Sequence, residues 1–203
     1  MGIYSVTHSN EFKYVFFRVS KTGTRSILRN LHKHTIITDG FPMIDDPNYR
    51  HKLGYSKKYQ SSWDTYFKFS IVRNPWDRLV STYYNKVLGM NKKYKIKFYR
   101  KFRHTSFKYF ITYLSNINLS KEEHIKCQYK FIPNNLNFIG RFENLQQDFN
   151  IICDKIGIPQ QQLPHANPTK HKHYTEYYDD ETRQIVADKY AKDIEYFNYE
   201  FGK

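Results

Sequence analysis

Apolar and polar positions alternate in two rhythms along this chain, and the points where one rhythm gives way to the other mark out its elements. Short runs dense in aromatic and β-branched residues at 14–19 (YVFFRV), 67–72 (FKFSIV) and 136–140 (LNFIG) read as strands. Each is followed by polar or charged residues and then by a stretch with helical spacing, at 24–34, 76–88 and 145–156. Strand, loop and helix repeated in this order predict an α/β fold with a parallel sheet and helices on its faces. Ligands of such sheets bind outside the carboxyl ends of the strands, which is where the polar clusters fall.

The remaining segments fill in the frame. Residues 39–47 (DGFPMIDDP) are turn-rich and read as a connector, and 92–103 (KKYKIKFYRKFR) is a basic and aromatic stretch leading into a helix at 106–114. Residues 158–174 carry Pro159, Pro164 and Pro168 and read as a long loop of the kind that covers a site. Apolar Ile185, Val186, Tyr190, Ile194 and Phe197 predict one amphipathic helix over 179–197. Neither an internal repeat nor a domain boundary is visible, so 203 residues are expected to form a single domain, residues 1–203, around one sizeable core.

Composition changes this picture only in part. Aromatic residues make up 18% of the chain, ample apolar area for folding. The 33 Lys and Arg against 19 Asp and Glu give a net charge of +14, a field that favours anionic partners. The same charge suits a nucleic acid, an anionic glycan, nucleotide phosphates or a membrane surface, and equally a solvated lysine-rich surface. Cys127 and Cys153 are too few for a disulfide framework and lie in no CxxC pair, so reduced, buried thiols are expected. No apolar run reaches the length of a membrane span and the first residues lack a signal-peptide core. The expectation is a soluble, cytoplasmic chain.

Candidate chemistry starts at residues 16–28, FFRVSKTGTRSIL. A strand entering a Lys/Thr/Gly/Ser loop that becomes a helix brings free backbone N–H groups and the positive end of a helix dipole to one point. Lys21, Thr24 and Ser26 add an ammonium and two hydroxyls, a set suited to a phosphate. Lys21 precedes Gly23, the reverse of the order in a Walker A motif, which argues against a magnesium-nucleotide kinase. Taken alone, the stretch also fits an ordinary strand-to-helix turn. The second cluster, FSIVRNPWDRLVSTYYN, places Arg73 at a strand end, Pro75 at a helix start, and Arg78 and Ser81 three apart on one helical face. By itself it fits an arginine paired with Asp77 equally well.

Together and in this order, the two clusters resemble the sulfotransferases that use 3′-phosphoadenosine-5′-phosphosulfate (PAPS). In that family a K[TSA]G[TS][TS] loop binds the 5′-phosphosulfate and an RxPxxRxxSxY motif binds the 3′-phosphate. Lys21, Thr22, Gly23, Thr24, Arg25 and Ser26 match the first except at Arg25, and Arg73, Pro75, Arg78, Ser81 and Tyr83 match the second. The segments FIGRFENLQQDFN, LPHANPTKHKHYTEYY and DDETRQIVADKYAKDIEYFNYEF look like the membrane-type carbohydrate branch and its bacterial and viral relatives. The resemblance implies a three-layer α/β fold with a central parallel sheet, similar to that of P-loop nucleoside triphosphate hydrolases. It also implies transfer of a sulfuryl group from PAPS to an acceptor hydroxyl, on a carbohydrate, releasing 3′-phosphoadenosine-5′-phosphate (PAP) without a metal.

Residue roles follow from the same resemblance. Lys21 would stabilise the leaving bridging oxygen, and Thr22, Gly23, Thr24, Arg25, Ser26, Arg73 and Ser81 would hold the nucleotide. His51 lies between the two motifs, where similar enzymes carry a histidine base, and imidazole titrates near working pH. Arg18 would face the acceptor or the transferred group, and Lys170 or Lys172 would close a basic loop over a phosphate. Arg25 stands where relatives carry a hydroxyl. A basic nucleic-acid-binding protein is the alternative from another class, on the strength of the charge and of KKYKIKFYRKFR. No specific nucleic-acid partner is expected under the sulfotransferase reading.

Overall fold

The computed structural model describes residues 6–34, 63–89, 97–164 and 171–203. His51, Lys170, the connector at 39–47 and the beginning of the 92–103 stretch lie outside the described residues. The chain divides into two compact units, Met1–Val72 with Lys130–Ala166 and Arg73–Tyr129 with Asn167–Lys203.

The first unit is built on a four-stranded sheet in the order β1 (Val6–Ser9), β2 (Tyr14–Phe17), β3 (Phe67–Val72), β4 (Phe138–Arg141). Strands β2, β3 and β4 run parallel, as the strand-loop-helix rhythm predicts. The sheet as a whole is mixed rather than parallel, because β1 pairs antiparallel with β2 through the turn at 10–13. Two short devices shape that turn: Ser9 Oγ accepts from the Phe12 N–H at 3.1 Å, and Lys13 adopts φ 48°. With four residues and Val6 as its one apolar side chain, β1 carries too little signal to be read without its partner.

Helices α1 (Thr24–His34) and α5 (Leu145–Ile156) pack on one face of this sheet. The period-two pattern sends Tyr14, Phe16, Phe69 and Ile71 to that face, where they meet Ile27, Leu28 and Leu31 from α1 and Phe149, Ile152 and Cys153 from α5. Phe16 and Phe69 stack at 4.8 Å between ring centres, directly across the β2–β3 register. The alternate residues Val15, Phe17, Ser70 and Val72 are buried as well, which explains why these strands read as near-continuous apolar runs. Buried Lys68 reaches the carbonyls of Asp64 and Tyr66 with its ammonium, at 2.7 and 3.3 Å. Gly140 lets α5 approach β4: a Cβ there would lie 2.5 Å from Ile71 Cδ1 and 3.1 Å from Asp148 Cβ.

The second unit is helical. Asn74 caps α2 (Pro75–Thr82) with Pro75 at its first position, and the same helical stretch continues as a π-helix over Tyr83–Leu88. After α3 (Lys97–Arg100) comes α4 (Phe107–Ser115), whose Ser106 cap accepts from the Tyr109 N–H. Asp179 and Thr182 form a reciprocal cap at the start of α6 (Asp180–Lys189), and α7 (Ala191–Phe197) follows. The single helix expected over 179–197 is therefore two, broken at Tyr190 (φ −114°, ψ 20°). Tertiary bonds account for the break: the Tyr190 hydroxyl donates to the Ile125 carbonyl, and Asp193 accepts from the Gln128 and Tyr129 N–H groups. Leu79, Val80, Tyr83, Phe107, Phe110, Ile111, Leu114, Val186 and Tyr190 form the core of this unit.

Candidate functional site

In the first unit the loop between β2 and α1 has the geometry of an anion cradle. Lys21 and Gly23 both take positive φ, 74° and 76°, on either side of Thr22. Such alternation of φ sign turns successive N–H groups toward one side, the arrangement of backbone anion-binding concavities. The Val19 carbonyl ties the loop down by accepting from the Thr22 and Thr24 hydroxyls, each at 2.9 Å. The Gly23 carbonyl then receives the Ser26 and Ile27 N–H groups at 2.9 and 3.2 Å and starts α1, at whose end the Thr24 and Arg25 N–H groups have no intrahelical carbonyl to reach.

Each residue of the loop is placed by a definite constraint. Gly23 is required both by its φ and by space, since a Cβ would sit 2.6 Å from Leu145 Cδ2 at the start of α5. Thr22 is fully buried, Ser26 nearly so, Lys21 and Thr24 are half-buried, and Arg25 is exposed. Lys21 holds a left-handed backbone without being glycine, a strained conformation that clusters at ligand-binding turns. Arg18 leaves β2 just before the loop and is buried at 9% exposure.

In the second unit, the side chains of the motif that begins at Arg73 differ in what they contact. The Arg73 guanidinium lies against Asp77, with Nε and NH2 both 2.9 Å from Oδ2, and is 6% exposed. Pairing with Asp77 was one of the two readings open from sequence, and it is present. It orients the guanidinium plane, as a carboxylate one turn along the helix can. The Arg73 main chain is held equally firmly: its N–H donates to Gln128 Oε1 at 2.9 Å and its carbonyl accepts from Gln128 Nε2 at 2.8 Å. Ser81 is buried at 4% exposure, two turns along α2.

Arg78, despite sharing a helical face with Ser81, belongs to the scaffold. It is fully buried, and its two terminal nitrogens donate to the carbonyls of Lys126 and Glu123 at 2.9 and 3.2 Å. Burial pulls its guanidinium below the usual arginine range, while Tyr190 and Asp193 oppose that shift. Tyr83, the last residue of the motif, donates to the Thr105 carbonyl at 2.6 Å. Both residues fix the loops around α2.

Lys172 forms an exposed ion pair with Glu176 at 3.1 Å and lines an open cleft with Tyr84, His171, Glu176 and Tyr177. The Tyr84 and Tyr177 hydroxyls are 2.9 Å apart, and that bond, together with burial, pushes the Tyr84 phenol up to about 12. Sequence reasoning missed Asn74, Gln128 and Asp193, which bear on Arg73 through the backbone. The Asn-Pro pair at a helix start was a readable cap signal; nothing in the local pattern marks Gln128. Among the described residues no group of three or more His, Cys, Asp or Glu could hold a metal ion, and no helix is long and apolar enough to cross a membrane.

Of the comparisons with known proteins, the one with family models names a family. A family model described as "Sulfotransferase family" matches residues 5–200, a span that takes in both compact units. An uncharacterized protein of Archaeoglobus fulgidus is 32% identical over 100 residues, which cover 49% of this chain and 74% of that protein. No solved structure matches. With a match running along almost the whole length, residues 5–200, the chain belongs to the sulfotransferase family.

Proposed function

We propose that this sulfotransferase takes PAPS as donor and a carbohydrate hydroxyl as acceptor. The observation that carries the reading is the loop from Lys21 to Ser26, whose alternating φ signs, helix start and lysine form a phosphate cradle with no Walker A order. The loop receives the 5′-phosphosulfate, and Arg73 and Ser81 receive the 3′-phosphate. Parallel β2, β3 and β4 with a loop and helix after β2 support the P-loop-like architecture as part of the same reading.

Transfer is an in-line displacement. The acceptor oxygen forms a new S–O bond as the bond to the bridging oxygen of the 5′-phosphate breaks, and that oxygen leaves with the electron pair on PAP. Charge builds on the sulfuryl oxygens and the leaving oxygen, so a positioned ammonium and helix-end amides lower the barrier. Lys21 supplies the ammonium, and the acceptor proton goes to a base, the role assigned to His51. Arg18 is assigned to the acceptor or the sulfuryl group, and Lys170 and Lys172 to a basic loop over the nucleotide.

Thermal unfolding with added PAP and transfer from radiolabelled PAPS to a glycan panel test the reading. PAP should raise the melting temperature of the wild-type protein, and Lys21→Ala or Arg73→Ala should abolish the rise. His51→Ala should remove turnover while sparing the PAP-induced shift. A wild-type protein indifferent to PAP sinks the donor assignment, and retained turnover in His51→Ala removes that histidine from the chemistry.

A further inference from the structure

Asn74 does more than a helix cap requires. Its Oδ1 accepts from the Trp76 N–H at 3.1 Å, the ordinary cap bond, which Ser, Thr or Asp would make as well. Its Nδ2 lies within hydrogen-bond distance of three oxygens: the Glu200 carbonyl at 3.0 Å, the Tyr174 hydroxyl at 3.2 Å and the Lys203 carbonyl at 3.3 Å. Only an amide combines that acceptor with a donor at the same position. The side chain is 1% exposed, so its bonds do not compete with water.

The segment that Asn74 grips is itself built around α2. Tyr174 accepts from the Gly202 N–H at 2.6 Å, and the Phe201 ring sits edge-on to Trp76, Tyr174 and Tyr178 at 5.5, 5.6 and 5.6 Å. The Tyr178 hydroxyl donates to the Trp76 carbonyl at 2.9 Å. Residues 200–203 are thus tied to the first turn of α2 by backbone, amide and aromatic contacts. On the other side of the same dipeptide, Gln128 holds both main-chain groups of Arg73. The peptide Arg73-Asn74 is gripped from two directions by elements distant in sequence.

We infer that Asn74 is a positioning residue: by tying residues 200–203 and Tyr174 to the start of α2, it sets the direction in which Arg73 presents its guanidinium to a phosphate. The inference rests on the reading that Arg73 takes the 3′-phosphate of the nucleotide. Asn74 touches no phosphate itself; it acts through the adjoining main chain, where a small displacement is enough to weaken a directional charge-assisted bond.

Asn74→Ser tests this, because it keeps an oxygen for the Trp76 N–H and removes the amide donor without adding charge. Phe201→Ala loosens the same segment from its aromatic side and leaves the cap untouched, so it also serves if the first variant fails to fold. Each variant is titrated with PAP and with adenosine 5′-phosphate, which lacks the 3′-phosphate. PAP affinity should fall about tenfold, the effect of one well-placed charged hydrogen bond, while the affinity for adenosine 5′-phosphate stays within about twofold of wild type. Variants that keep the full wild-type preference for PAP overturn the inference, as does an equal loss for both ligands, which marks a merely structural role. A wild-type protein that binds PAP no better than adenosine 5′-phosphate refutes the underlying assignment of Arg73 instead.

Discussion

Two glycines with nearly the same backbone angle separate strain from crowding in the candidate phosphate loop. Gly23 has φ 76° and Gly157 has φ 75°, but a Cβ on Gly23 would lie 2.6 Å from Leu145 Cδ2 and 3.4 Å from Phe142 Cδ2, whereas one on Gly157 meets nothing within 4 Å. Alanine at either position adopts a left-handed conformation at a cost of about 1–2 kcal/mol. Gly23→Ala adds an overlap with a branched carbon, and forcing the neighbouring side chain aside costs about 1–3 kcal/mol more. For a chain of this size each kcal/mol lowers the melting temperature by roughly 2–4 °C, so Gly157→Ala should cost about 2–8 °C and Gly23→Ala about 4–20 °C.

Differential scanning fluorimetry of both variants, with Leu145→Ala alone and combined with Gly23→Ala, completes the comparison. Shortening Leu145 removes the obstructing methyl, so the double variant should be more stable than the sum of the single losses predicts, with a coupling of about 1 kcal/mol or more. Gly23→Ala should also lose the PAP-induced shift, because the loop must open to accept the new carbon. Equal losses for the two glycine variants, or strict additivity with Leu145→Ala, would refute the reasoning that contact with α5 holds the loop closed.

Two further predictions concern the second unit. Gln128→Leu strands the buried N–H and C=O of Arg73 at about 1–3 kcal/mol each, so the urea midpoint should fall clearly; an unchanged midpoint would contradict the bonding described. His124 is held below its ordinary value of 6.5 by burial, although its 2.6 Å bond to Glu122 works the other way, so the folded state prefers the neutral ring. That preference contributes stability above pH 6.5 which is lost as pH falls from there through the lower folded value. Burial would raise Glu122, yet the His124 bond holds it below its ordinary range, so its contribution too is lost toward acid. Urea midpoints compared at about pH 7.5 and 5.5 should drop for wild type and drop less for His124→Gln, and identical slopes would remove the histidine from the acid response.

Where the local pattern alone decides an element, sequence and structure agree closely. The boundaries of α1, β3 and α5 coincide with their apolar periods because each element has a long, one-sided or fully buried pattern and a clear breaker at its end, such as Gly157 after α5. The departures fall where distant bonds intervene. The helix over 179–197 is interrupted because Tyr190 and Asp193 turn to serve residues 125–129, and the stretch after Thr82 widens to a π-helix around Tyr83, which reaches the Thr105 carbonyl. A four-residue strand such as β1 exists only through its pairing with β2, which no one-dimensional period records.

For the candidate site the division is similar. Residue type and order in the sequence determine that Lys21 precedes Gly23 at a strand-to-helix turn and that Arg73, Arg78 and Ser81 share one motif, since these depend on chemistry and spacing along a single stretch. Tertiary structure decides what each of those side chains is bonded to. Arg78 and Arg73 are the same side chain five positions apart, but one is spent on the Lys126 and Glu123 carbonyls while the other is oriented by Asp77 and held by Gln128. Burial and the partners supplied by distant segments create that difference, and a linear sequence does not encode distance between segments in any form that periodicity can read.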